Sequence, residues 1–523
     1  MTSNRARLAW LRAAWRAGLL APMPPRTLAA VARAMRAYGP IGAATTVGAA
    51  RFGDRTAVVD DHGPVTYREL DTAAKALATA WHRRGIGPGS RVAVLCRNHR
   101  GLLLAMSAAA KLGAGIVLLN TDFAAPQLRG TVEEEGITAL VHDEEFAPLL
   151  QGIEVPQGTY TAWSDDGGSD LDGLSAGRAL TPPAPPRAST LVILSSGTSG
   201  RPKGAARSSA PSEPLALPGG ILTRIPFRRK EAVFVAPPLF HGWGLTSATL
   251  ALALGSTLVL HRRFDAERTV ADLAGHRCTA LIAVPTMLGR VLEAPNLGVH
   301  DLSALRVIAT GGGPLTPHLT REVMAAFGKV LYNFYGSTEA SCITIATPED
   351  LVAAPGCAGT PPPGTAVTIL DGDGRPVPPG TVGQVHVSSP TRFDGYTSGA
   401  AVTGPLLPVG DLGHLDAGGR LHIDGRADDM IVSGGENVHP AEIEELLAAH
   451  PDIAECAVVG VPDPEFGRRL RAYVVASGPL DAERVKAHVA ANLARYKVPR
   501  EVVFLDELPR TPTGKVIKRA LDR

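Results

Sequence analysis

Cysteine is scarce in this chain: five residues in 523, at Cys96, Cys278, Cys342, Cys357 and Cys456. No two of them share a C-x-x-C spacing and along the sequence none stands in a metal-ligand cluster, which gives no pattern of a zinc module or a disulfide scaffold. An odd number without paired spacing favours a reducing, cytoplasmic setting, with the cysteines as core residues. Long hydrophobic runs are missing as well. The nearest, Leu102 to Leu119, is interrupted by Lys111 and Gly113 and reads as a buried helix running into a strand rather than a membrane span. A net charge of only +2 gives no general attraction to nucleic acid. Acidic side chains are absent from the first fifty positions, which hold seven arginines interleaved with Trp10, Leu11, Trp15, Leu19 and Leu20. Arg5, Arg12 and Arg16 fall on one helical face. Three readings stay open for this extension: an ordinary helix docked on the body, an interfacial helix making peripheral contact with an anionic membrane, and an organellar transit peptide.

What is present points to a globular chain of two to four domains, with 45% hydrophobic and 20% charged residues. Tyr67 to Arg84 has helical spacing, Arg91 to Leu95 reads as a buried strand, Leu102 to Leu112 as helix, and Gly115 to Leu119 and Ala139 to Val141 as strands. The segment from Gln151 to Arg187 is polar and proline-rich and reads as a surface connection. Alternation resumes with strands at 232–236, 256–260, 280–284 and 305–309 and a helix at 246–254. Near-continuous apolar strands alternating with helices predict parallel sheets covered on both faces. After Ala358, Gly/Pro turns and short alternating segments such as Ala366 to Leu370 and Gly383 to Val387 suggest a small β-barrel-like unit. Beyond Gly425 a helix at 440–449, strands at 454–459 and 471–476, a helix at 481–493 and a strand at 501–505 make a compact α+β unit. The predicted fold class is α/β: a large layered body with a small mobile lid.

Chemistry concentrates first at Ser195 to Gly204, SSGTSGRPKG, after the apolar run 191–194. Glycines let successive backbone N–H groups converge on an anion, and hydroxyls add donors at little bulk. Ser195, Ser196, Gly197, Thr198, Ser199 and Gly200, with Lys203 for charge, are the phosphate-gripping candidates. The P-loop pattern does not fit, because Lys203 is followed by Gly204 and preceded by Pro202. The decapeptide resembles the phosphate-binding signature of the adenylate-forming superfamily: acyl-CoA synthetases, peptide-synthetase adenylation domains and luciferases. Such enzymes activate a carboxylate with ATP as an acyl-adenylate and pass the acyl group to a thiol.

That resemblance extends along the chain. Tyr332 to Ala340, YNFYGSTEA, resembles the superfamily's Y-G-x-T-E signature. It implies Tyr335 stacked on adenine, Gly336 for close approach, Thr338 at the α-phosphate and Glu339 as ligand to Mg²⁺, which needs only one or two carboxylates. Gly312, Gly313 and Pro314, after the strand at 305–309, would form the floor under adenine. Asp411 matches the aspartate that accepts both ribose hydroxyls, although Val409 stands where threonine is frequent. Arg426 matches the arginine that also reaches ribose, and Asp428 the hinge. The implied division is a basic extension at 1–50, an AMP-binding domain at 51–425, a hinge at 426–428 and a lid at 429–523.

Lys515, in PRTPTGKVIKR, matches the lid's terminal signature. Its work follows from charge: two unit charges about 4 Å apart at an effective dielectric near 20 repel by roughly 4 kcal/mol, about a thousandfold in rate. A lysine bridging carboxylate and α-phosphate offsets much of this. Rotation about Asp428 would then withdraw Lys515 and bring Gly434 and Gly435 to line a channel for the pantetheine arm of CoA. In PPLFHGWG, Phe240, His241 and Trp243 occupy the region where amino-acid-activating relatives carry an aspartate, so the substrate lacks an α-amino group. His241 matches a gate to the thiol, and Phe240 and Trp243 are expected to bound the acyl tunnel. The expected partners are a small-molecule carboxylic acid, read as a fatty acid, with ATP, Mg²⁺ and CoA and no nucleic acid. The alternatives are a fatty-acyl-AMP ligase serving a carrier protein, a non-catalytic nucleotide-binding relative and, remotely, a luciferase-like oxidation.

Overall fold

A computed structural model describes residues 3–196, 202–208, 213–397, 399, 404–426, 431–438, 440–509, 516 and 518–521. Two sheets with parallel centres carry the body. In the seven-stranded sheet, Thr190–Ser196, Gly115–Leu118, Arg91–Leu95, Ala139–Asp143 and Thr159–Trp163 run parallel in that order, and the antiparallel strands Pro202–Ser208 and Gly395–Tyr396 close one edge. In the eight-stranded sheet, Thr56–Asp60, Thr257–Val259, Ala232–Val235, Ala280–Ala283, Val307–Gly311 and Leu331–Ser337 are parallel, with the antiparallel strands Gly63–Thr66 and Ser341–Ala346 at the edges. The near-continuous apolar runs are explained by this placement: Val92, Val94, Val235 and Ile282 are fully enclosed, because helices cover both faces of each sheet. Helix Arg100–Lys111 lies between the sheets and is buried along nearly its whole length.

Inside this layer Lys111 is fully enclosed. Its Nζ donates to the Gly42 carbonyl at 2.9 Å and the Thr46 hydroxyl at 2.7 Å, and lies 3.4 Å from Asp71 Oδ1. Burial lowers the amine to about 8, with Asp71 acting against that. Burial pushes the Asp71 carboxyl up, yet Lys111 and Lys75 together hold it below the usual carboxylate range. The cluster ties the N-terminal helix Pro25–Phe52 to the body. That helix is broken at Gly39, whose φ of 66° suits glycine, just before Pro40. The preceding helix, Asn4–Arg16, is capped by Ser3 and anchored by buried Trp10, whose Nε1 donates to the Pro363 carbonyl at 2.9 Å. For the inner face of the extension, then, the docked-helix reading describes the structure.

The segment 151–187 is more ordered than a surface connection. It holds the edge strand Thr159–Trp163 and the short helix Asp170–Ser175, whose Leu171 is buried. The strand is only five residues long with a polar surround, so its alternation is weak in sequence. The β unit after Ala358 is an antiparallel sheet of Ala366–Leu370, Gly383–Ser388, Leu407–Leu415 and Leu421–Arg426 around its own apolar cluster.

The C-terminal unit has a three-stranded sheet, Ile453–Asp463, Gly467–Ala476 and Glu501–Phe504, with helices Pro440–Ala448 and Ala482–Asn492 and the hairpin Ile431–Ser433 with Glu436–Val438. It is docked on the body. The Arg495 amide donates to the Asp122 carbonyl at 3.1 Å, Gln127 Nε2 to Glu442 Oε1 at 3.0 Å, and Arg290 pairs with Glu465 at 2.6 Å. Ala494 completes an apolar cluster with Phe123 and Leu128 of the body.

Candidate active site

A cavity of about 1430 Å³ opens at the carboxyl ends of the parallel strands, where α/β sheets bind ligands. Three segments supply its polar wall. The first follows Val307–Gly311: Gly312, at φ 81°, Gly313 and Pro314 line the cavity. The second is the hairpin between Leu331–Ser337 and Ser341–Ala346, which presents Tyr335, Gly336, Thr338 and Glu339. The reason for glycine at 336 differs from the expectation: a side chain there would overlap the Ser341 carbonyl across the hairpin, at the point where the register shifts. Its close approach is to backbone, which shapes the loop carrying Thr338 and Glu339. The third is strand Leu407–Leu415, which brings in Asp411, buried, whose carboxylate accepts from the Tyr335 hydroxyl. Arg426 stands opposite Asp411 in the strand register.

The flanks of the predicted phosphate loop are the antiparallel strands Thr190–Ser196 and Pro202–Ser208. Ser195 pairs with Lys203 and Ser196 with Pro202, so the chain continues from Lys203 as a strand. Gly197, Thr198, Ser199 and Gly200 lie outside the described residues, as do Asp428 and Lys515. The flank of Lys515 is placed: Val516 packs against the lid sheet, and Lys518 pairs with Glu444 at 2.7 Å.

His241 and Trp243 both line the cavity. His241 precedes helix Gly242–Ala253 near Gly312, and burial lowers its imidazole pKa below the ordinary value. Trp243 stacks on Phe334 with ring centres 4.4 Å apart and donates from Nε1 to the Ala283 carbonyl at 3.2 Å. Gly244 is required because a side chain would overlap the Pro238 carbonyl. Asn98 ties the preceding loop down, donating to the Pro237 carbonyl at 2.9 Å and accepting from the Leu239 amide at 2.7 Å. Phe240, expected to bound the acyl tunnel, instead packs in the core between the sheets and does not line the cavity. The turn closed by the His241 amide on the Pro238 carbonyl at 3.1 Å leaves Leu239 and Phe240 both in that core.

Arg207 is a residue the sequence reading passed over. From strand Pro202–Ser208 it reaches the cavity wall, donating to the Thr391 carbonyl at 2.9 Å and to the Thr338 carbonyl. Burial lowers its pKa, with Glu339 and Asp394 opposing. A charge enclosed beside Glu339 both braces that loop and offsets its negative potential. Tyr396 adds a second brace, its hydroxyl donating to Glu339 Oε1 at 2.9 Å. The only available signal was an arginine four residues beyond Lys203, in a strand with no motif.

The lid supplies the remaining wall. Gly435, at φ 88°, lines the cavity and approaches so closely that a side chain would sit 3.2 Å from the Gly312 carbonyl, whereas Gly434, expected beside it, lies against the Phe466 ring and off the cavity wall. Gly467 and Arg468 also line the cavity here. Glu436 follows, and burial raises its carboxyl to about 7, with Asp122 adding to the shift and Lys497 opposing it.

The described residues fit the expected ligands. Glu339 beside the Thr338 hydroxyl is a hard-oxygen set suited to Mg²⁺, and buried Asp411 is an acceptor-only group suited to a diol. The comparisons agree with that geometry. Residues 46–397 match the model of the AMP-binding enzyme family and residues 442–515 that of the AMP-binding enzyme C-terminal domain. The chain is similar to indoleacetate–CoA ligase of Aromatoleum aromaticum, 36% identical over 89% of this chain and 94% of that one. It is similar to a fatty acid–[acyl-carrier-protein] ligase of Streptomyces coeruleorubidus, 32% identical over 89% and 92%. Among solved structures, o-succinylbenzoate CoA synthetase of Bacillus subtilis, as a double mutant with a product analogue, aligns with TM-score 0.81 at 30% identity, covering 92% of this chain and 98% of that one. The same synthetase with its acyl-adenylate intermediate aligns at 0.66, with 29% identity and the same coverage. The chain belongs to the AMP-binding, adenylate-forming enzyme family. It is an enzyme of the acid–CoA ligase type, and such ligases use ATP, Mg²⁺ and CoA.

Proposed function

We propose that the chain is a fatty-acid–CoA ligase, forming an acyl-adenylate from ATP and then an acyl-CoA, with AMP and pyrophosphate released. The observation that carries the choice of acid is the shape of the cavity. Past His241 and Trp243 it continues between helices Pro25–Phe52 and Gly242–Ala253, walled by Val31, Ile41, Phe52, Leu103, Leu245 and Leu252. Its volume exceeds the ~300–1,000 Å³ usual for small-molecule sites, as a nucleotide plus a long apolar tail requires. Relatives named for aryl acids favour a bulkier, shorter substrate, and the carrier-protein ligase favours transfer to a protein-bound thiol.

In the adenylation step, Asp411 accepts the ribose hydroxyls while Tyr335 holds its carboxylate in place. Arg207 and Tyr396 keep Glu339 aimed at the phosphates. Glu339 and Thr338 would hold Mg²⁺, which draws negative charge off the phosphate oxygens when bound. Lys515 neutralises the approaching carboxylate and the α-phosphate, most strongly in the transition state. In the second step the lid has turned about Asp428, and Gly435 beside Gly312 leaves a backbone-lined path for the thiol, with Arg468 at its wall. His241, kept neutral by burial, bounds that path. The greater likeness to the product-analogue form than to the adenylate form of one synthetase supports reading the docked lid as this second arrangement.

Pyrophosphate release over a panel of saturated and aryl acids, with CoA consumption followed in parallel, tests the reading. Each buried methylene contributes about 0.8 kcal/mol, so kcat/KM should climb roughly fourfold per carbon until the tail fills the cavity. A flat profile with aryl acids preferred would reject the fatty acid. Pyrophosphate without acyl-CoA would favour the carrier protein.

A further inference from the structure

Large apolar side chains left in water are unevenly spread over this molecule. Of the twelve exposed ones among the described residues, six lie within the first thirty-five positions: Leu8, Leu11, Trp15, Leu20, Leu28 and Met35. Trp15 alone is 65% exposed. On helix Asn4–Arg16, Leu8, Leu11 and Trp15 follow i, i+3, i+7 spacing and share one stripe, with Arg5, Arg12 and Arg16 on the adjoining stripe. The opposite side, Ala6, Trp10, Ala13 and Ala14, is buried against the body. The helix is therefore held by its inner face while its outer face stays half apolar and half cationic. Arg5, Arg12, Arg16, Arg26, Arg33 and Arg36 pair with no carboxylate among the described residues, and the first fifty positions contain none.

The same patch surrounds an opening. Leu20 and Met35 are exposed and also line the cavity, joined there by Leu19, Met23 and Val31. They mark the end of the cavity far from the nucleotide loops.

We propose that the two N-terminal helices are a docking surface for an anionic lipid bilayer, and that the cavity mouth at Leu20 and Met35 faces that bilayer. An arginine stripe answers anionic headgroups, and leucine, methionine and tryptophan side chains fit the headgroup–acyl boundary. An acidic protein would be met by the arginines but leaves the apolar stripe in water. Docking rests on the surface alone. Loading of an apolar-tailed acid from the membrane through the mouth rests in addition on the proposed ligase reading.

Flotation of the full chain with vesicles of phosphatidylcholine plus phosphatidylglycerol, against phosphatidylcholine alone, tests it. Trp15 provides a second readout, because the other four tryptophans are buried. The expected result is flotation with the anionic vesicles only, weakened by salt, with a blue shift of tryptophan emission that Trp15→Ser abolishes. Arg12→Glu with Arg16→Glu should cut the bound fraction at least about tenfold. Pyrophosphate release with a water-soluble acid and no vesicles should be unchanged in both variants, which separates docking from folding and from the ligase reading. Failure of the chain to float would overturn the proposal. So would flotation indifferent to these substitutions, or capture of an acidic carrier protein through the arginines with no vesicle binding.

Discussion

At the scale of single residues, the site is organised by groups that hold other groups. Asp411 meets Tyr335, Glu339 meets Tyr396, and the Thr338 carbonyl meets Arg207, so the acceptors of the nucleotide loops are fixed before a ligand arrives. Arg207 carries the most distinctive expectation. Arg207→Gln keeps polarity but removes the charge beside Glu339 and one brace of its loop. A charged hydrogen bond is worth about 1.5–3 kcal/mol, so kcat/KM for pyrophosphate release should fall roughly ten- to a hundredfold. Arg207→Lys should restore part of it, and thioester formation from supplied acyl-adenylate should be nearly unaffected. Equal loss in both half-reactions would assign Arg207 to general stability. Much at this scale was legible in sequence, because Tyr335, Thr338, Glu339, Gly312 and Asp411 stand in short contiguous motifs and converge on one cavity. Arg207, Tyr396 and Asn98 were not, because each acts across the fold on a residue more than fifty positions away. Phe240 was assigned to the tunnel by its place in PPLFHGWG beside His241 and Trp243, whereas its side chain packs in the core.

At the scale of elements, the parallel strands were the easiest to read, since burial on both faces leaves an uninterrupted apolar signature. Arg91–Leu95, of this kind, matches its expected bounds, as does Ala366–Leu370 in the antiparallel β unit, where turn residues marked the ends. Less legible were Thr159–Trp163, an edge strand with a weak pattern, and helix Pro25–Phe52, whose Gly39–Pro40 break conceals a single docked unit. The lid's docking face holds a charge cluster no motif announces: Asp122 from the body, with Glu436, Glu442, Tyr496 and Lys497 from the lid. Burial beside Asp122 raises Glu436 from 4.5 to about 7 in the docked state. With the carboxyl solvated when undocked, the docked state binds more protons between pH 4.5 and 7. Docking is therefore favoured on the acid side and weakens as pH rises through about 7, by up to about 3 kcal/mol. Energy transfer between dyes on body and lid should report a docked fraction that falls across that window, and Glu436→Gln should flatten the profile. An unchanged profile in the variant would remove Glu436 as its source.

At the scale of the whole molecule, a two-sheet body carries most of the cavity wall, and a small docked unit completes it with Gly435 against Gly312. No helix among the described residues is long and apolar enough to cross a membrane. The two chemical steps ask for different things at the same place: a cation between two anions, then a narrow path for a thiol. The most direct measurement is a double dissociation of half-reactions in two variants, Lys515→Ala and Gly435→Leu. The first should lower adenylation at least about a hundredfold and leave acyl transfer from supplied acyl-adenylate intact. The second, which puts a side chain at a φ of 88° beside the Gly312 carbonyl, should leave adenylation intact and stop transfer to CoA. Loss of both half-reactions together in either variant would contradict a single lid serving two steps in turn.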